Sequence, residues 1–184
     1  VAVGASTGGP LALQRLLEEL PGSLPVAFVV AQHMPERFTA PFADRLARTT
    51  PFSVQEAGEG EVVAAGRVLV APGGRDLEVV RGPDGTLRAA VRAPAAARAC
   101  PSVDRLFASV ARAVGPAACA VFLTGMGRDG SAGIAAVKAA GGLTLAESEE
   151  SAVVFGMPSA AARSGAVDEV LPPALLARRI AAHY

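Results

Sequence analysis

The sequence predicts an α/β protein with a doubly wound, mainly parallel sheet and an antiparallel β-hairpin, in a Rossmann-like three-layer arrangement. Three observations predict this fold. Short apolar runs alternate with amphipathic segments at both ends of the chain. The runs are continuously apolar, which is typical of strands that helices cover on both faces. Between them, residues 52–92 hold several short strand-like runs separated by turn sequences.

The first elements follow a strand–helix–strand–helix order. "VAVGA", residues 1–5, is continuously apolar or small and predicts a buried strand. Apolar residues then recur at helical spacing over 10–20, where Pro10 suits the first turn of a helix. The run 25–32 predicts the next strand, and 37–50 the next helix.

The middle of the chain changes character before the alternation returns. Four short strands are predicted at 52–57, 67–72, 76–80 and 86–91, with a hairpin turn at Pro83-Asp84-Gly85. Ser102 is the expected N-cap of the helix that follows. The remaining elements are helix 102–114, strand 117–124, helix 131–141, strand 143–147, helix 158–165, strand 166–171 and helix 173–184.

Length and composition indicate one globular domain spanning 1–184. The chain has 184 residues, of which 51% are hydrophobic and 18% charged, so a full hydrophobic core is possible and disorder is excluded. Seventeen basic residues balance seventeen acidic ones, which argues against a nucleic-acid partner. No apolar run is long enough for membrane insertion.

The cysteine and histidine content predicts neither a metal site nor a disulfide framework. Only two residues of each type are present, without zinc-ligand spacing. We therefore expect no metal, no cofactor and a reducing, cytoplasmic environment. Because the chain starts inside a strand and lacks an initiator Met, we also expect it to be a piece of a longer protein with a domain missing upstream.

Three predicted strands end in residues that suit nucleophilic catalysis. Ser6 follows the first strand, His33 the second, and Asp129 the strand in "AVFLTGMGRDG". The carboxyl ends of parallel strands meet at one edge of a sheet, and neighbouring strands lie only about 4.8 Å apart. A histidine there can take the serine proton while the carboxylate orients and stabilises the imidazole.

Glycines near these residues favour the same interpretation. Gly4-Ala5-Ser6-Thr7-Gly8 matches the G-x-S-x-G turn that exposes a serine hydroxyl between a strand and a helix. The helix after it directs free N–H groups at the site. The loop of Gly125, Met126 and Gly127 offers further backbone N–H groups for an oxyanion.

Each of these residues also has a structural interpretation. Ser6 and Thr7 are plausible caps of the first helix, Asp129 a plausible cap of the helix after it, and a lone histidine such as His33 is often structural. His183 is a rival base, but it lies one residue from the chain end on a terminal helix. A dinucleotide-binding oxidoreductase is a further alternative, although the glycines do not form G-x-G-x-x-G and no acidic residue ends the second strand.

Six segments together resemble the catalytic domain of the bacterial chemotaxis protein-glutamate methylesterases. They appear in the family's order and spacing: "GASTGG", "QHMP", "APGG", "PSVDRLF", "LTGMGRDG" and "VVFGMP". The resemblance covers essentially the whole chain. It implies a serine esterase that removes γ-methyl groups from glutamates on the cytoplasmic helices of chemoreceptors and releases methanol; many members also deamidate receptor glutamines. A catalytically idle interaction domain of the same fold is the alternative.

The resemblance also implies roles for particular residues. Ser6 falls on the family's nucleophile, His33 on its base and Asp129 on its acid, while Thr7 and Met126 match positions that line the site. Three residues are expected to contact the receptor helix, namely Arg98, Phe155 and Met157, although the last two suit core packing equally well. Full-length members carry a phosphorylatable receiver domain before this one, and no receiver is present in these residues.

Overall fold

A seven-stranded parallel sheet forms the centre of the fold. The computed structural model describes residues 1–94 and 99–184, and the predicted contact residue Arg98 lies outside them. Within that part the strand order is β3-β4-β2-β1-β7-β8-β9, and every neighbouring pair is parallel. These strands are β1 Ala2–Ala5, β2 Phe28–Gln32, β3 Ser53–Glu56, β4 Arg67–Val70, β7 Cys119–Phe122, β8 Leu143–Glu147 and β9 Glu169–Leu171.

Helices cover both faces of this sheet, as the continuously apolar strands predict. The helices are α1 Gly9–Glu18, α2 Glu36–Thr49, α3 Val103–Val114, α4 Ser131–Ala139, α5 Met157–Arg163 and α6 Pro173–Ala181. Leucines of α1, α2 and α6 share one core cluster with Val3 and Val30 of the sheet. Residues of α3, α4 and α5 share the other cluster with Ala2 and Val29. Successive strand residues therefore serve opposite layers, and the predicted three-layer fold is confirmed.

The predicted hairpin forms a separate two-stranded sheet. It consists of β5 Asp76–Arg81 and β6 Leu87–Arg92, paired antiparallel across the turn at residues 82–86. The hairpin packs on α3, where Val79 N donates to the hydroxyl of the buried Ser109 at 2.9 Å. The preceding short strands, β3 and β4, instead extend the main sheet in parallel.

Of two expected helix caps, one forms and the other does not. Ser102 caps α3 as predicted, since its side chain accepts from the Arg105 N–H. Helix α1 is capped by Gly8, whose φ of 84° is left-handed, and no side chain caps it. Ser6 and Thr7 are therefore not the caps of α1. Among the described helices, none is long and apolar enough to cross a membrane.

Candidate active site

The three predicted catalytic residues follow three adjacent strands. In the sheet, β1 lies between β2 and β7, with Ala5 opposite Gln32 and Gly4 opposite Phe122. Ser6 and His33 therefore come directly after neighbouring strand ends, and Asp129 lies in the loop after the third. From β1 the chain adds strands in both directions along the sheet. In doubly wound sheets, ligands bind beyond the carboxyl ends of the strands at the point where the direction reverses.

A direct hydrogen bond joins His33 to Asp129. The distance from His33 Nε2 to Asp129 Oδ2 is 2.8 Å, although the two residues are 96 positions apart. Their side chains are 17% and 14% exposed, so water has limited access to the pair. Asp129 is thus placed to orient the imidazole and to stabilise its protonated form.

The start of α3 holds the Asp129 carboxylate from the other side. Oδ2 accepts from the Val103 N–H at 2.8 Å, and Oδ1 accepts from the Asp104 N–H at 3.2 Å and the Ser102 hydroxyl at 3.1 Å. Burial raises the pKa of Asp129, but the hydrogen bonds from His33 and the two N–H groups outweigh it and hold the pKa below its ordinary value. Asp129 does not cap α4, whose N-cap is Gly130.

Ser6 lies in a turn held by neighbours on both sides. Its N–H donates to Thr124 O at 3.0 Å, and its carbonyl accepts from Gly9 N and from Gln32 Nε2, both at 2.9 Å. The Ser6 hydroxyl forms no hydrogen bond to any described residue. Ser6 is half-buried, so the hydroxyl is available for chemistry and has no capping role.

The backbone, and not the hydroxyl, links Ser6 to the base. The His33 N–H donates to the Ala5 carbonyl at 2.9 Å, directly before Ser6. Since Asp129 binds Nε2, Nδ1 is the ring nitrogen that remains, and it has no hydrogen-bond partner within residues 1–94 and 99–184. Nδ1 is therefore the ring nitrogen that is free to make a further hydrogen bond.

The loop of Gly125, Met126 and Gly127 begins beside Ser6. Gly125 lies so close that an added Cβ would be 2.7 Å from Ser6 Cβ. Met126 after it is 72% exposed, and Gly127 has a left-handed φ of 102°. The N–H groups of Thr7, Met126 and Gly127 have no acceptor in the described part of the chain, so they are free to bind an oxyanion.

The two predicted docking residues of "VVFGMP" lie in different environments. Phe155 is partly exposed and forms a bridge with Gly125 beside the site. Met157 is 0% exposed, and its Sδ lies under Gly125. The expectation that Met157 contacts a docked helix is therefore wrong, because its position at the start of α5 turns it into the core.

Alternative nucleophiles and bases are not positioned for catalysis. His183 packs edge-on against Tyr184. The Tyr184 hydroxyl donates to the carbonyl of Ala117, which comes just before β7, so both residues lie at the end of the sheet opposite Ser6. Burial raises the pKa of Cys119 to about 12 and that of Cys100 to about 11, so neither is a thiolate at neutral pH. The described residues contain no cluster of three or more potential metal ligands.

Three buried polar residues near Ser6 are absent from the sequence-based prediction. Gln32, Thr124 and Glu147 each come at the end of a predicted apolar strand, and each is at most 1% exposed. Glu147 accepts from the Thr124 N–H at 2.7 Å. Burial raises the pKa of Glu147, and this hydrogen bond opposes the rise without cancelling it. A polar residue closing an otherwise apolar strand is the signal that identifies them.

Comparison with known proteins agrees with the family that the six sequence segments resemble. The family model for CheB methylesterase matches residues 1–180. A protein-glutamate methylesterase/protein-glutamine glutaminase of Anaeromyxobacter dehalogenans is 69% identical over 92% of this chain and 49% of its own length. A second of the same name, from Geobacter sulfurreducens, is 51% identical over 98% of this chain and 48% of its own length. The chain thus spans about half the length of these relatives.

A solved structure extends the similarity to three dimensions. The catalytic domain of the Thermotoga maritima CheB methylesterase superimposes with a TM-score of 0.96 at 36% identity. The match covers 100% of this chain and 97% of that one.

Proposed function

The chain belongs to the CheB methylesterase family, and we propose that Ser6, His33 and Asp129 hydrolyse γ-methyl esters of glutamate on chemoreceptor helices. One observation carries the proposal. The His33–Asp129 hydrogen bond lies at the sheet edge where the free hydroxyl of Ser6 emerges from a tight turn. A serine, a histidine and a largely buried carboxylate that follow three adjacent strands are the groups that serine esterases require.

The reaction follows from the position of each group. Ser6 Oγ attacks the carbonyl carbon of the ester while its proton moves to His33 Nδ1. Asp129, bound at Nε2, stabilises the imidazolium that forms. The N–H groups of Thr7, Met126 and Gly127 bind the oxyanion of the tetrahedral intermediate.

Collapse of this intermediate breaks the bond to the methoxy group. His33 returns the proton to the leaving oxygen, and methanol departs. Water then gives a proton to His33 and attacks the acyl-enzyme, which releases glutamate and regenerates Ser6. The same steps convert glutamine to glutamate when ammonia is the leaving group. Deamidation is therefore part of the proposal, and the names of the relatives support it.

The partner is proposed to be a chemoreceptor helix that lies across the sheet edge. A methyl ester needs no deep pocket, so selectivity must come from the surface around Ser6. Met126 and Val153 are 72% and 67% exposed, and Phe155 is partly exposed and forms a bridge with Gly125. These side chains can contact the apolar face of an amphipathic helix. Such a target places the reaction in the cytoplasm.

A receiver domain upstream of Val1 is also part of the proposal. The matched relatives are about twice as long as this chain, which leaves room for such a domain.

Release of methanol from methylated receptor tests the proposal directly. Receptor fragments carrying radiolabelled methyl esters would be incubated with the wild-type chain, with Ser6→Ala and with Ser53→Ala. Ser53 begins the edge strand β3 and its exposed side chain lies away from the site, so it is a matched control. We expect volatile label from the wild type and Ser53→Ala, and none from a folded Ser6→Ala. Release by Ser6→Ala would reject the assignment of the nucleophile.

A further inference from the structure

Gln32 makes hydrogen bonds both to the turn that carries Ser6 and to His33. It is the last residue of β2, lies opposite Ala5 and is 1% exposed. Its Nε2 donates to the Ser6 carbonyl at 2.9 Å and to the His33 carbonyl at 3.0 Å. Because both partners accept hydrogen bonds, the orientation of the carboxamide is fixed with its nitrogen toward them.

These hydrogen bonds set the direction of a neighbouring N–H group. The peptide between Ser6 and Thr7 is planar and trans, so its N–H points away from its carbonyl. Gln32 Nε2 and Gly9 N hold that carbonyl from one side. The Thr7 N–H therefore points away from Gln32 and Gly9, and it has no acceptor among the described residues.

A second contact holds the next peptide of the same turn. The buried hydroxyl of Thr124 donates to the Thr7 carbonyl at 2.9 Å and accepts from Val154 N at 2.9 Å. The turn is thus held from the β2 side by Gln32 and from the β7 side by Thr124. Neither side chain is exposed enough to reach a docked substrate.

The second polar atom of Gln32 shows that the carboxamide is not there for stability alone. Gln32 Oε1 is buried and has no hydrogen-bond partner among the described residues. It lies against Gly9, where an added Cβ would be 2.0 Å away. Burying an unpaired carbonyl oxygen destabilises a fold, and an apolar side chain of the same size would avoid this.

We propose that Gln32 is a positioning residue for ester hydrolysis. It holds the Ser6–Thr7 peptide so that the Thr7 N–H faces the developing oxyanion, and it fixes the spacing between the backbones of Ser6 and His33. The role rests on the proposed esterase function. Because the oxyanion exists only after attack on the ester, the effect belongs to the transition state and not to substrate binding.

Replacement by methionine tests the proposal. Gln32→Met keeps the length of the side chain and removes both N–H donors. Loss of a whole oxyanion donor costs roughly 10²–10³ in kcat. For a misdirected donor we expect kcat to fall by about 10-fold or more, with KM within about 2-fold of the wild type.

The matched control is Ser109→Ala. Ser109 is equally buried and makes two hydrogen bonds away from the site: one joins α3 to the hairpin, and the other lies within α3. This variant should lose stability and keep the wild-type kcat. An equal loss of kcat in Ser109→Ala and Gln32→Met, at equal loss of stability, would overturn the positioning role.

Two further measurements keep the proposal separate from the esterase assignment. A crystal structure of Gln32→Met should show the Ser6 carbonyl rotated from its wild-type direction, and an unchanged peptide would overturn the proposal whatever the activity. Gln32→Leu, which removes the same donors with a shorter apolar side chain, should lower kcat in the same way if Gln32→Met fails to fold. Absence of methanol release by the wild type, in contrast, would reject the esterase function and leave the crystal structure to decide the role of Gln32.

Discussion

Replacement of Asp129 by asparagine perturbs both the base and the start of α3. Each carboxylate oxygen accepts two hydrogen bonds: Oδ2 from His33 and Val103, and Oδ1 from Ser102 and Asp104. Asparagine has only one such oxygen. Whichever way its amide turns, the NH₂ group must face one of the two backbone N–H groups of α3.

The magnitude follows from the groups left without partners. One partly buried N–H without an acceptor costs about 1–3 kcal/mol in the free energy of unfolding. In a domain of this size that lowers Tm by roughly 2–4 °C per kcal/mol. The effect on catalysis is larger, since asparagine cannot stabilise the imidazolium or hold its tautomer. Comparable replacements in Ser-His-Asp triads reduce kcat by about 10⁴-fold.

The pH dependence of stability provides a second readout for the same variant. The pKa of Asp129 is lowered in the folded state, so its stabilisation is complete above its unfolded pKa of about 3.9. It is lost as the pH falls through the folded pKa. The difference in Tm between the wild type and Asp129→Asn should therefore narrow as the pH falls from 5 to 3.

Methanol release and thermal unfolding, measured on the same preparations, check these expectations. Asp44→Asn, an exposed change on α2, is the control for a simple loss of charge. Methanol release by Asp129→Asn within 10-fold of the wild type would refute the role of the carboxylate. A Tm difference that stays constant down to pH 3 would refute the hydrogen-bond account of its pKa.

Two other substitutions test the surroundings of Ser6. Met157→Ala should lower the free energy of unfolding by about 2–5 kcal/mol, because Met157 is fully buried under Gly125. Chemical denaturation measures this loss, and a change below about 0.5 kcal/mol would contradict the place of Met157 in the core. Glu147→Gln should raise Tm at pH 7, because the pKa of Glu147 is raised by burial and the charged form is destabilising, whereas glutamine can still accept from the Thr124 N–H. The gain should shrink as the pH falls through the raised pKa and vanish near the ordinary pKa of glutamate, so a gain independent of pH would contradict the burial argument.

Much of the fold follows from local sequence patterns. Continuously apolar runs separated by amphipathic segments predict parallel strands with helices on both faces, and this places Ser6, His33 and Asp129 at one edge. The order of the strands does not follow from such patterns. That β1 lies between β2 and β7 depends on pairing between segments more than a hundred residues apart. The support of Asp129 by α3 is non-local for the same reason.

The site residues that sequence reasoning missed or misplaced share a physical cause. Met157 lies at a loop–helix boundary, where apolar character fits an exposed rim and a buried core equally well; only packing under Gly125 decides between them. Gln32 and Glu147 are polar residues within buried strands, and their hydrogen bonds reach residues distant in sequence. Periodicity reports which face of an element is apolar, and not which backbone group a polar side chain will bind.

Covalent labelling of Ser6 tests most directly whether the strand ends form one nucleophilic site. The wild type and His33→Ala would be treated with a fluorophosphonate, and the adduct located by mass spectrometry of peptides. The account predicts a single adduct on Ser6 in the wild type and loss of labelling in His33→Ala, because the imidazole must take the hydroxyl proton. An adduct on another residue, or equal labelling of both proteins, would contradict it.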